Sequence, residues 1–337
     1  MIPRMNRVLF ICNFKPGVGG ISGQVEALQK HLVEEGYIAD VFSCRDSVLK
    51  RLLMPCRLFQ KIRHYDVAHI HCCSGRGFFP AVLGVGIARL ARKRIILTYH
   101  GGGGAPFFAK HKKLVKHYLM RTDANVVLSG YLGDVFDKYR IPYSIIPNII
   151  ELDETLYRKR ITLKPDFICI RSHEEIYNIP CIFRAFKRVQ EIIPSATLTL
   201  VGDGSLHNTL VSQASKMGLD NVRFTGRVDN SEIYYYLNEA DIMLSSPTVD
   251  NMPVSILEAM NAGLLVISSR VGGVPYMIEN EQTGLLFPSD DDSALATCML
   301  HALEIIQDTL CIMEKAHNEV KKYSWANVRE RLLSLYQ

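Results

Sequence analysis

Two carboxylates lie on either side of a predicted helix start in the stretch TVDNMPVSILEAM, residues 248–260. Pro253 suits the first turn of a helix, where its missing N–H costs no hydrogen bond, and the free N–H groups from Val254 onward can bind phosphate oxygens. Asp250 precedes this position, and Glu258 lies just over one turn inside the helix. Two acids beside a bound anion are costly unless each binds hydroxyl groups. A nucleotide diphosphate-sugar offers that order: a ribose diol, a diphosphate and sugar hydroxyls.

A glycine-rich stretch, NFKPGVGGISGQ at residues 13–24, follows the first predicted strand and opens the first predicted helix. Its glycines, Gly19 and Gly20 among them, let the backbone approach a ligand and direct N–H groups at an anion. The spacing differs from the G-x-G-x-x-G of nicotinamide-dependent enzymes, and the second predicted strand ends in FSCRD, without an acid for a ribose. A phosphate-binding loop and a plain strand-to-helix turn remain open, and the spacing argues against a dinucleotide site.

Two further side chains end predicted strands, where the ligands of doubly wound sheets bind. His100 closes RIILTYH, and a side chain at this strand end can donate to a phosphate or a sugar hydroxyl. The four glycines that follow leave room for a bulky ligand. Arg171 closes FICIR, where a guanidinium suits a diphosphate. The alternatives are a histidine within a flexible loop and an ordinary surface arginine.

Two stretches contain residue types that bind metals, but neither has the spacing of a metal site. In HIHCC, His69 and His71 share one face of a strand, and a dense cluster without a distant second ligand pair is weak evidence for zinc. SDDDSA, residues 289–294, resembles the Asp-x-Asp of metal-dependent sugar transferases. It also precedes a predicted helix, where Asp and Ser cap free N–H groups, and we favour that interpretation. We therefore expect no metal and no cofactor.

Short apolar runs alternate with helical patterns in two blocks, which predicts parallel sheets covered on both faces. The predicted strands are 7–12, 38–43, 66–71, 94–100, 124–129 and 143–148 in the first block, and 167–171, 197–204, 222–226, 241–246 and 264–269 in the second. The polar, aperiodic stretch 151–165 is predicted to be a linker. The expected fold is α/β, with two doubly wound, Rossmann-like domains at 1–150 and 165–322 that face each other across a cleft.

Charge is distributed unevenly along the 337 residues, a length that suits two domains. Residues 1–150 hold 22 Lys and Arg against 9 Asp and Glu, whereas residues 151–337 hold 17 against 25. A basic half favours an anionic lipid, a phosphorylated substrate or nucleic acid, or is simply a solvated basic face. No RNA- or DNA-binding module is visible, so we expect no nucleic-acid partner.

Several features predict a cytoplasmic protein. No apolar run approaches the roughly 20 residues that span a bilayer, and the N-terminal MIPRMNRVLFIC lacks the small-residue cleavage site of a signal peptide. Nine cysteines without regular spacing suggest reduced thiols. Residues 49–65 and 110–120 mix Lys and Arg with apolar residues as interfacial helices do, so the inner face of a membrane is a further expected location.

The chain resembles glycosyltransferase family 4, retaining enzymes of the GT-B fold, over nearly its whole length. The most specific part is the succession LTLVGDGS, VRFTGRV and ADIMLSSPTVDNMPVSILEAMNAGLLVISSRVGGVPYMIENEQTGLLF. The family's Glu-x7-Glu motif falls on Asp250 and Glu258. The closing YSWANVRERLLSLY, within residues 323–337, looks like the family's last helix, which packs back on the N-terminal domain.

The resemblance implies a role for each matching residue. Asp250 would contact the donor sugar, Glu258 the ribose and Arg171 the diphosphate, with His100 near the transferred sugar. The glycine pair would lie near the donor phosphate, residues 226–228 would contact the base, and the backbone after the first acid would hold sugar and phosphate. The implied catalytic residues are Asp250, His100 and Arg171, and the implied donor-binding residues are Gly19, Gly20, Arg171, Gly226, Arg227, Val228, Asp250, Asn251, Met252, Pro253, Val254 and Glu258.

This sequence departs from the family pattern at two positions. The first acid is Asp250 rather than Glu, which is shorter by one methylene. The lysine that the family places five residues after the arginine is Ile176 here, so one of two expected phosphate cations is missing.

The resemblance implies a metal-independent, retaining transfer of a sugar from a nucleotide diphosphate-sugar, by front-face attack. The acceptor would be a saccharide or a lipid-linked saccharide, in cell-envelope or exopolysaccharide biosynthesis. Two other classes stay open: a non-catalytic homologue that binds a nucleotide-sugar or a partner, and a nucleotide-sugar epimerase. The sequence names neither the sugar, the base nor the acceptor.

Overall fold

The structure, a computed structural model, describes residues 7–17, 19–46 and 48–337, so the first half of the N-terminal stretch 1–12, which is predicted not to be a signal peptide, lies outside it. The chain divides into two compact units. The N-terminal unit comprises Met1–Glu151 and Tyr323–Gln337, and the C-terminal unit comprises Leu152–Lys322.

The N-terminal unit contains a six-stranded parallel sheet in the order β2-β1-β3-β4-β5-β6. Its strands are the apolar runs that the sequence predicted, and their side chains fill a core on both faces of the sheet. The strands are β1 (Arg7–Cys12), β2 (Ile38–Ser43), β3 (Val67–Cys72), β4 (Arg94–Tyr99), β5 (Ala124–Val127) and β6 (Ser144–Ile145). The helices between them are α1 (Ile21–Glu34), α2 (Val48–Leu52), α3 (Met54–Ile62), α4 (Phe79–Leu90), α5 (Gly104–Lys110), α6 (Lys112–Leu119) and α7 (Gly130–Lys138).

The C-terminal unit repeats this architecture with the strand order β12-β11-β10-β7-β8-β9, again parallel. Its strands are β7 (Asp166–Ile170), β8 (Thr197–Val201), β9 (Val222–Gly226), β10 (Ile242–Ser245), β11 (Leu265–Ser269) and β12 (Leu285–Phe287). Its helices are α8 (Ile179–Ile192), α9 (His207–Lys216), α10 (Ile233–Glu239), α11 (Val254–Asn261), α12 (Asp292–Glu304) and α13 (Ile306–Glu319).

The last helix, α14 (Trp325–Leu333), belongs to the N-terminal unit. Its buried Val328 and Leu332 pack in the same hydrophobic cluster as the strand residue Phe10. Tyr336, just beyond the helix, is buried with them, and its hydroxyl lies 2.8 Å from Nδ1 of His69 on β3.

The predicted linker at 151–165 is wrong for most of its length, because residues from 152 onward belong to the C-terminal unit. Asp241, buried just before β10, binds two arginines of this segment: Arg160 Nε lies 2.8 Å from its carboxylate, and Arg158 forms a second ion pair with it. Leu163 is buried in the core of the same unit. A buried carboxylate needs paired cations, so a charged segment that looked solvated is anchored.

Within residues 7–17, 19–46 and 48–337, no single helix combines the length and the apolar composition that crossing a bilayer requires. The pair Asp292–Glu304 and Ile306–Tyr323 meets both criteria together, but it bends by 103° at the break.

Each sheet reverses its strand order beside its first strand. In the N-terminal unit β1 lies between β2 and β3, and in the C-terminal unit β7 lies between β10 and β8. Ligands of doubly wound sheets bind outside the carboxyl ends of the strands at such switch points. We therefore expect the functional side chains to lie at these two edges.

Candidate functional site

An arginine and an acid meet at the switch point of the C-terminal unit. Arg171 directly follows β7, and Ser245 ends the neighbouring β10. The guanidinium Nη2 of Arg171 donates to Ser245 Oγ at 2.9 Å and lies 3.1 Å from Oδ2 of Asp250. The guanidinium also lies over the ring of Tyr177, 5.2 Å from its centroid. One hydrogen bond, an ion pair and a cation–π contact thus hold the guanidinium in one place.

Helix α11 begins beside this pair. Pro253 is its N-cap residue, one position before the predicted first turn, and Val254 is the first helical residue. The first N–H groups of a helix have no intrahelical acceptor. Ser255 Oγ and Arg171 Nε are also buried without a hydrogen-bond partner among the described residues. Buried polar atoms are normally paired, so these groups are prepared for a ligand with several acceptor oxygens, such as a phosphate.

Glu258 lies on α11, and burial raises its pKa to about 7, while the positive charge of Arg171 acts in the opposite direction. Its carboxyl group has no hydrogen-bond donor among the residues that the structure describes. An acid in such surroundings costs free energy when it ionises. Hydroxyl groups of a ligand could supply the hydrogen bonds that the protein omits.

The turn before α11 is fixed by backbone contacts. Asp250 Oδ1 accepts the N–H of Asn251 at 2.8 Å, and its carbonyl accepts the N–H of Gly273 at 3.3 Å. The carbonyl of Ile176 accepts the N–H of Thr248 at 2.8 Å. Position 176, where the family pattern has a lysine, therefore holds the acid-bearing turn through its backbone, and its apolar side chain is 48% exposed.

The residues predicted to contact the base, Gly226, Arg227 and Val228, lie at the end of β9 and just beyond it. Gly226 has a φ of 69°, in the left-handed region that favours glycine, and its carbonyl accepts the N–H of Gly202 at 3.0 Å. Arg227 is exposed and Val228 is partly buried. Since β9 is two strands from β7, these residues lie roughly 10 Å from Arg171 along the same edge of the sheet.

In the N-terminal unit, the glycine loop leads from β1 into α1. Gly19 and Gly20 are exposed, and Gly20 is the N-cap residue of α1 with a φ of 68°. A Cβ at Gly20 would meet no atom within 4 Å, so the positive φ and not crowding favours glycine there. Val18, between the glycines of the loop, lies outside the described residues.

Three histidines lie together on β3 and at the end of β4. His71 Nδ1 is 2.9 Å from His100 Nε2, and His69 Nε2 is 2.8 Å from Thr98 Oγ1. Burial lowers the pKa of His69 and of His100 to about 3 and that of His71 well below its usual value. All three imidazoles are therefore neutral at pH 7.

The acidic stretch at 289–294 caps a helix, as expected. Asp291 accepts the N–H of Ala294 at 2.8 Å at the start of α12. Asp290 and Asp292 form ion pairs with Arg184. These carboxylates are therefore satisfied by the protein itself.

A histidine cluster that the sequence did not suggest lies in the C-terminal unit. His173, Asp203 and His207 place ligand atoms within 4.8 Å of one another, the one such group among the described residues. The two Nδ1 atoms are 3.0 Å apart, and His173 Nε2 is buried without a partner. A metal on His173 Nδ1 would move its proton to Nε2 and bury an unpaired N–H. A hydrogen bond between the two imidazoles avoids that cost.

Sequence reasoning missed four residues that support the site. Tyr177 and Ser245 contact the arginine, and Ser255 lies in the first turn of α11. His71 contacts His100. The sequence did contain a signal for His71. Side chains alternate between the two faces along a strand, so His71, which pairs with Thr98, lies on the same face as His100. For the others the pattern contains nothing that separates them from ordinary strand-end and helix-start residues.

Two protein-family models match successive parts of the chain. Residues 45–154 match the model described as Glycosyltransferase Family 4, and residues 164–304 match the model described as Glycosyl transferases group 1.

Solved structures share the fold over the whole chain. Anabaena HepE, in complex with UDP and glucose, superposes with a TM-score of 0.80 at 17% identity, over 98% of this chain and 99% of that one. Sucrose-phosphate synthase from Thermosynechococcus elongatus gives a TM-score of 0.81 at 18% identity, over 99% and 98%. Two six-stranded parallel sheets and these neighbours define the GT-B fold. The chain belongs to glycosyltransferase family 4.

Sequence relatives agree with this assignment. The N-acetyl-alpha-D-glucosaminyl L-malate synthase of Bacillus anthracis is 26% identical, over 80% of this chain and 70% of that protein. The phosphatidylinositol N-acetylglucosaminyltransferase gpi3 protein of Schizosaccharomyces pombe is 28% identical over 57% of this chain. A phosphatidylinositol N-acetylglucosaminyltransferase component of Arabidopsis thaliana is 34% identical over 44% of this chain, and the matched stretch spans 33% of the Arabidopsis protein.

Proposed function

We propose that this protein is a retaining glycosyltransferase that moves a sugar from a nucleotide diphosphate-sugar to a saccharide or lipid-linked acceptor, in cell-envelope or exopolysaccharide biosynthesis. One observation carries the proposal. Arg171 Nε and Ser255 Oγ are buried without partners among the described residues. Arg171 pairs with Asp250 in the turn before α11, and Ser255 lies in the first turn of α11, which also carries Glu258. Anion-binding donors between two hydroxyl-binding acids suit a nucleotide diphosphate-sugar.

The donor would lie along the carboxyl edge of the second sheet. Glu258 would bind the ribose diol, Arg171 and the first N–H groups of α11 the diphosphate, and Asp250 the sugar. Gly226, Arg227 and Val228, roughly 10 Å from the arginine, would contact the base. HepE, which shares this fold, binds UDP and glucose, and this supports a nucleotide-sugar in the same class of site.

Neutral donors would take the place of the missing lysine. With Ile176 at that position, Arg171 is the one cation that we assign to the diphosphate, and part of its charge is balanced by Asp250 at 3.1 Å. The N–H groups at the start of α11 and the hydroxyl of Ser255 add hydrogen bonds and a positive helix end. The donor phosphate would compete with Asp250 for the guanidinium, which would release the acid to bind sugar hydroxyls.

The reaction would depend on stabilising the leaving nucleoside diphosphate. Charge develops on its β-phosphate as the bond to the sugar breaks, and Arg171 with the α11 N-terminus would stabilise that charge. No protein nucleophile is assigned, so the acceptor hydroxyl would attack from the face that the leaving group departs from. The bond from the sugar to the β-phosphate would break as the new bond to the acceptor oxygen forms, the departing β-phosphate would take the hydroxyl proton, and the configuration would be retained. No metal is needed for these steps, and we propose that transfer persists in the presence of a chelator.

An anionic membrane surface is the proposed location of the acceptor. The amphipathic pattern that suggested it is partly explained by the core, since α3 buries Met54, Leu58 and Ile62. Leu52 and Leu53 remain exposed, at 78% and 62%, next to the exposed basic Arg51. Exposed leucines beside basic residues suit an interface with anionic lipid.

Replacing Glu258 by Ala tests the proposal. We expect Glu258→Ala to remain folded and to lose transfer from the nucleotide-sugar that wild type uses, whereas Glu314→Ala, an exposed acid on α13, keeps it. Product analysis by mass spectrometry, with and without acceptor, gives the readout. Wild-type turnover by Glu258→Ala would contradict the assignment.

The same assay separates the two rival functions. An epimerase would convert the nucleotide-sugar without any acceptor, and a non-catalytic homologue would bind it without forming product. Either result with wild-type protein would overturn the proposed transfer.

A further inference from the structure

The contact between His71 and His100 has a consequence for the proton on His100. The two residues lie on neighbouring parallel strands, with His71 opposite Thr98 on β4 and His100 just beyond that strand. The backbone N–H of His100 donates to the carbonyl of Cys72 at 2.8 Å. The rings stack at 5.1 Å with 27° between their planes. His100 is therefore held by its backbone and by its Nε2, which leaves Nδ1 as the nitrogen free to meet a ligand.

One of the two facing nitrogens must donate, because a hydrogen bond of 2.9 Å between neutral imidazoles needs one proton. His71 Nε2 is buried and has no hydrogen-bond partner among the described residues. A neutral imidazole carries one proton, on Nδ1 or on Nε2. A buried unpaired N–H is rarer and costlier than a buried lone pair. The proton of His71 therefore belongs on Nδ1, where His100 Nε2 accepts it.

We propose that His71 is a positioning residue that fixes His100 in its Nδ1–H form, so that His100 offers a neutral N–H donor to an oxygen of the bound ligand. That the ligand is a nucleotide-sugar rests on the proposed function. The tautomer itself does not, because it follows from contacts within the N-terminal unit. A hydroxyl or phosphate oxygen can accept this hydrogen bond, whereas a ligand group that can only donate cannot.

A second contact strengthens the arrangement. His69, behind His71 on the same face of β3, has both nitrogens engaged, by Thr98 Oγ1 and by the Tyr336 hydroxyl at 2.8 Å each. It is therefore unable to serve as a partner for His71.

Beside these residues lies a cavity of about 20 Å³, large enough for one water molecule. A water there that accepted a hydrogen bond from a His71 Nε2–H would reverse both tautomers, and a ¹⁵N spectrum of the histidine rings detects that reversal.

The direct test is a long-range ¹H–¹⁵N spectrum of full-length protein labelled with ¹⁵N-histidine, at pH 7. Protonated and unprotonated ring nitrogens have well-separated ¹⁵N shifts, and the signals that disappear in His100→Gln and in His71→Asn identify the two rings. We expect His100 protonated on Nδ1 and His71 protonated on Nδ1. A proton on Nε2 of His100 would overturn the proposal, whatever the catalytic activity.

Two variants at position 71 test the positioning role. Asn carries an N–H donor close to the place of Nδ1, whereas Leu has a similar volume and no donor. Residues that orient a functional group typically change activity about 10- to 100-fold when removed. We expect kcat to fall by about that factor in His71→Leu, with a smaller change in KM for the donor, and to recover largely in His71→Asn. Equal losses in both variants, with both folded, would contradict a role through the N–H donor.

The ¹⁵N spectrum and the transfer assay distinguish failure of the tautomer assignment from failure of the proposed function. If the spectrum shows the expected tautomer but no nucleotide-sugar is turned over, the proposed function fails and the tautomer assignment stands. If transfer occurs and the spectrum shows the opposite tautomer, the assignment of His71 fails alone.

Discussion

At the scale of single residues, ionisation of the buried Glu258 carboxyl group costs free energy, and an acid with a purely structural role would avoid that cost. Burial raises its pKa to about 7. The folded state therefore binds its proton more tightly than the unfolded chain, whose carboxyl groups titrate near 4.3. Stability contributed by this group is present below pH 4 and is lost as the pH rises towards 7, since the folded state then retains a proton that the unfolded state has released.

Glu258→Gln should therefore stabilise the ligand-free protein at pH 8, by about 1 to 3 kcal/mol, because Gln has the same shape and never ionises. The gain should shrink as the pH falls and vanish near pH 4. Urea unfolding at several pH values measures it. Glu314→Gln, at an exposed position, should change stability little at any pH.

The same substitution should weaken binding of the nucleotide-sugar. A stabilised variant that still binds donor as wild type does would show that the acid has no role in the ribose site. Equal stability of Glu258→Gln and wild type at pH 8 would show that burial does not strain the carboxylate.

At the scale of helices and strands, the arrangement of α2 and α3 decides which part of the basic N-terminal unit can meet a membrane. The apolar side of α3 faces the core of its own unit. What remains exposed is the junction between the two helices, where Leu52 and Leu53 lie next to Arg51. A helix whose apolar stripe is already buried cannot insert that stripe into lipid, so contact would depend on this junction.

Replacing Leu52 and Leu53 together by Ser should lower the partition coefficient of the protein onto anionic liposomes at low salt, measured by sedimentation, by about 100-fold. Two inserted leucines contribute on the order of 1.5 kcal/mol each, and 1.4 kcal/mol corresponds to a factor of about ten. Ile192→Ser is the control, because Ile192 is 65% exposed at the end of α8 and lies next to the exposed acidic Glu191. No binding of wild type to anionic liposomes, or equal loss in the control, would contradict the proposed membrane contact.

The elements themselves were predictable because each strand is a short apolar run between helical patterns. Eleven of the twelve strands fall on runs visible in the sequence, and the exception is β12, Leu285–Phe287, whose three residues are too short to form a pattern. The boundary between the units was misjudged for a tertiary reason. Nothing local to residues 152–165 shows that Arg158 and Arg160 neutralise a buried acid some 80 positions later.

At the scale of the whole molecule, two units of the same architecture divide the chemistry. The N-terminal unit carries the glycine loop and the three histidines His69, His71 and His100. The C-terminal unit carries Arg171, the two acids and the start of α11. The sequence could indicate the acids and the arginine, because types and spacing reveal them. It could not indicate that Arg171 is shared between Ser245 and Asp250, or that Ile176 anchors the acid-bearing turn, because those contacts arise only when β7 and β10 pair.

The central claim is that the site around Arg171 binds a nucleotide diphosphate-sugar. Thermal unfolding with a panel of nucleoside diphosphates and nucleotide-sugars tests it most directly, because a ligand at 100 times its Kd stabilises the folded state by about 2.7 kcal/mol. We predict that at least one nucleotide-sugar raises the Tm of wild type and of Arg188→Gln, a surface arginine, and fails to raise that of Arg171→Gln. An equal shift in Arg171→Gln, or no shift in wild type with any member of the panel, would contradict the account.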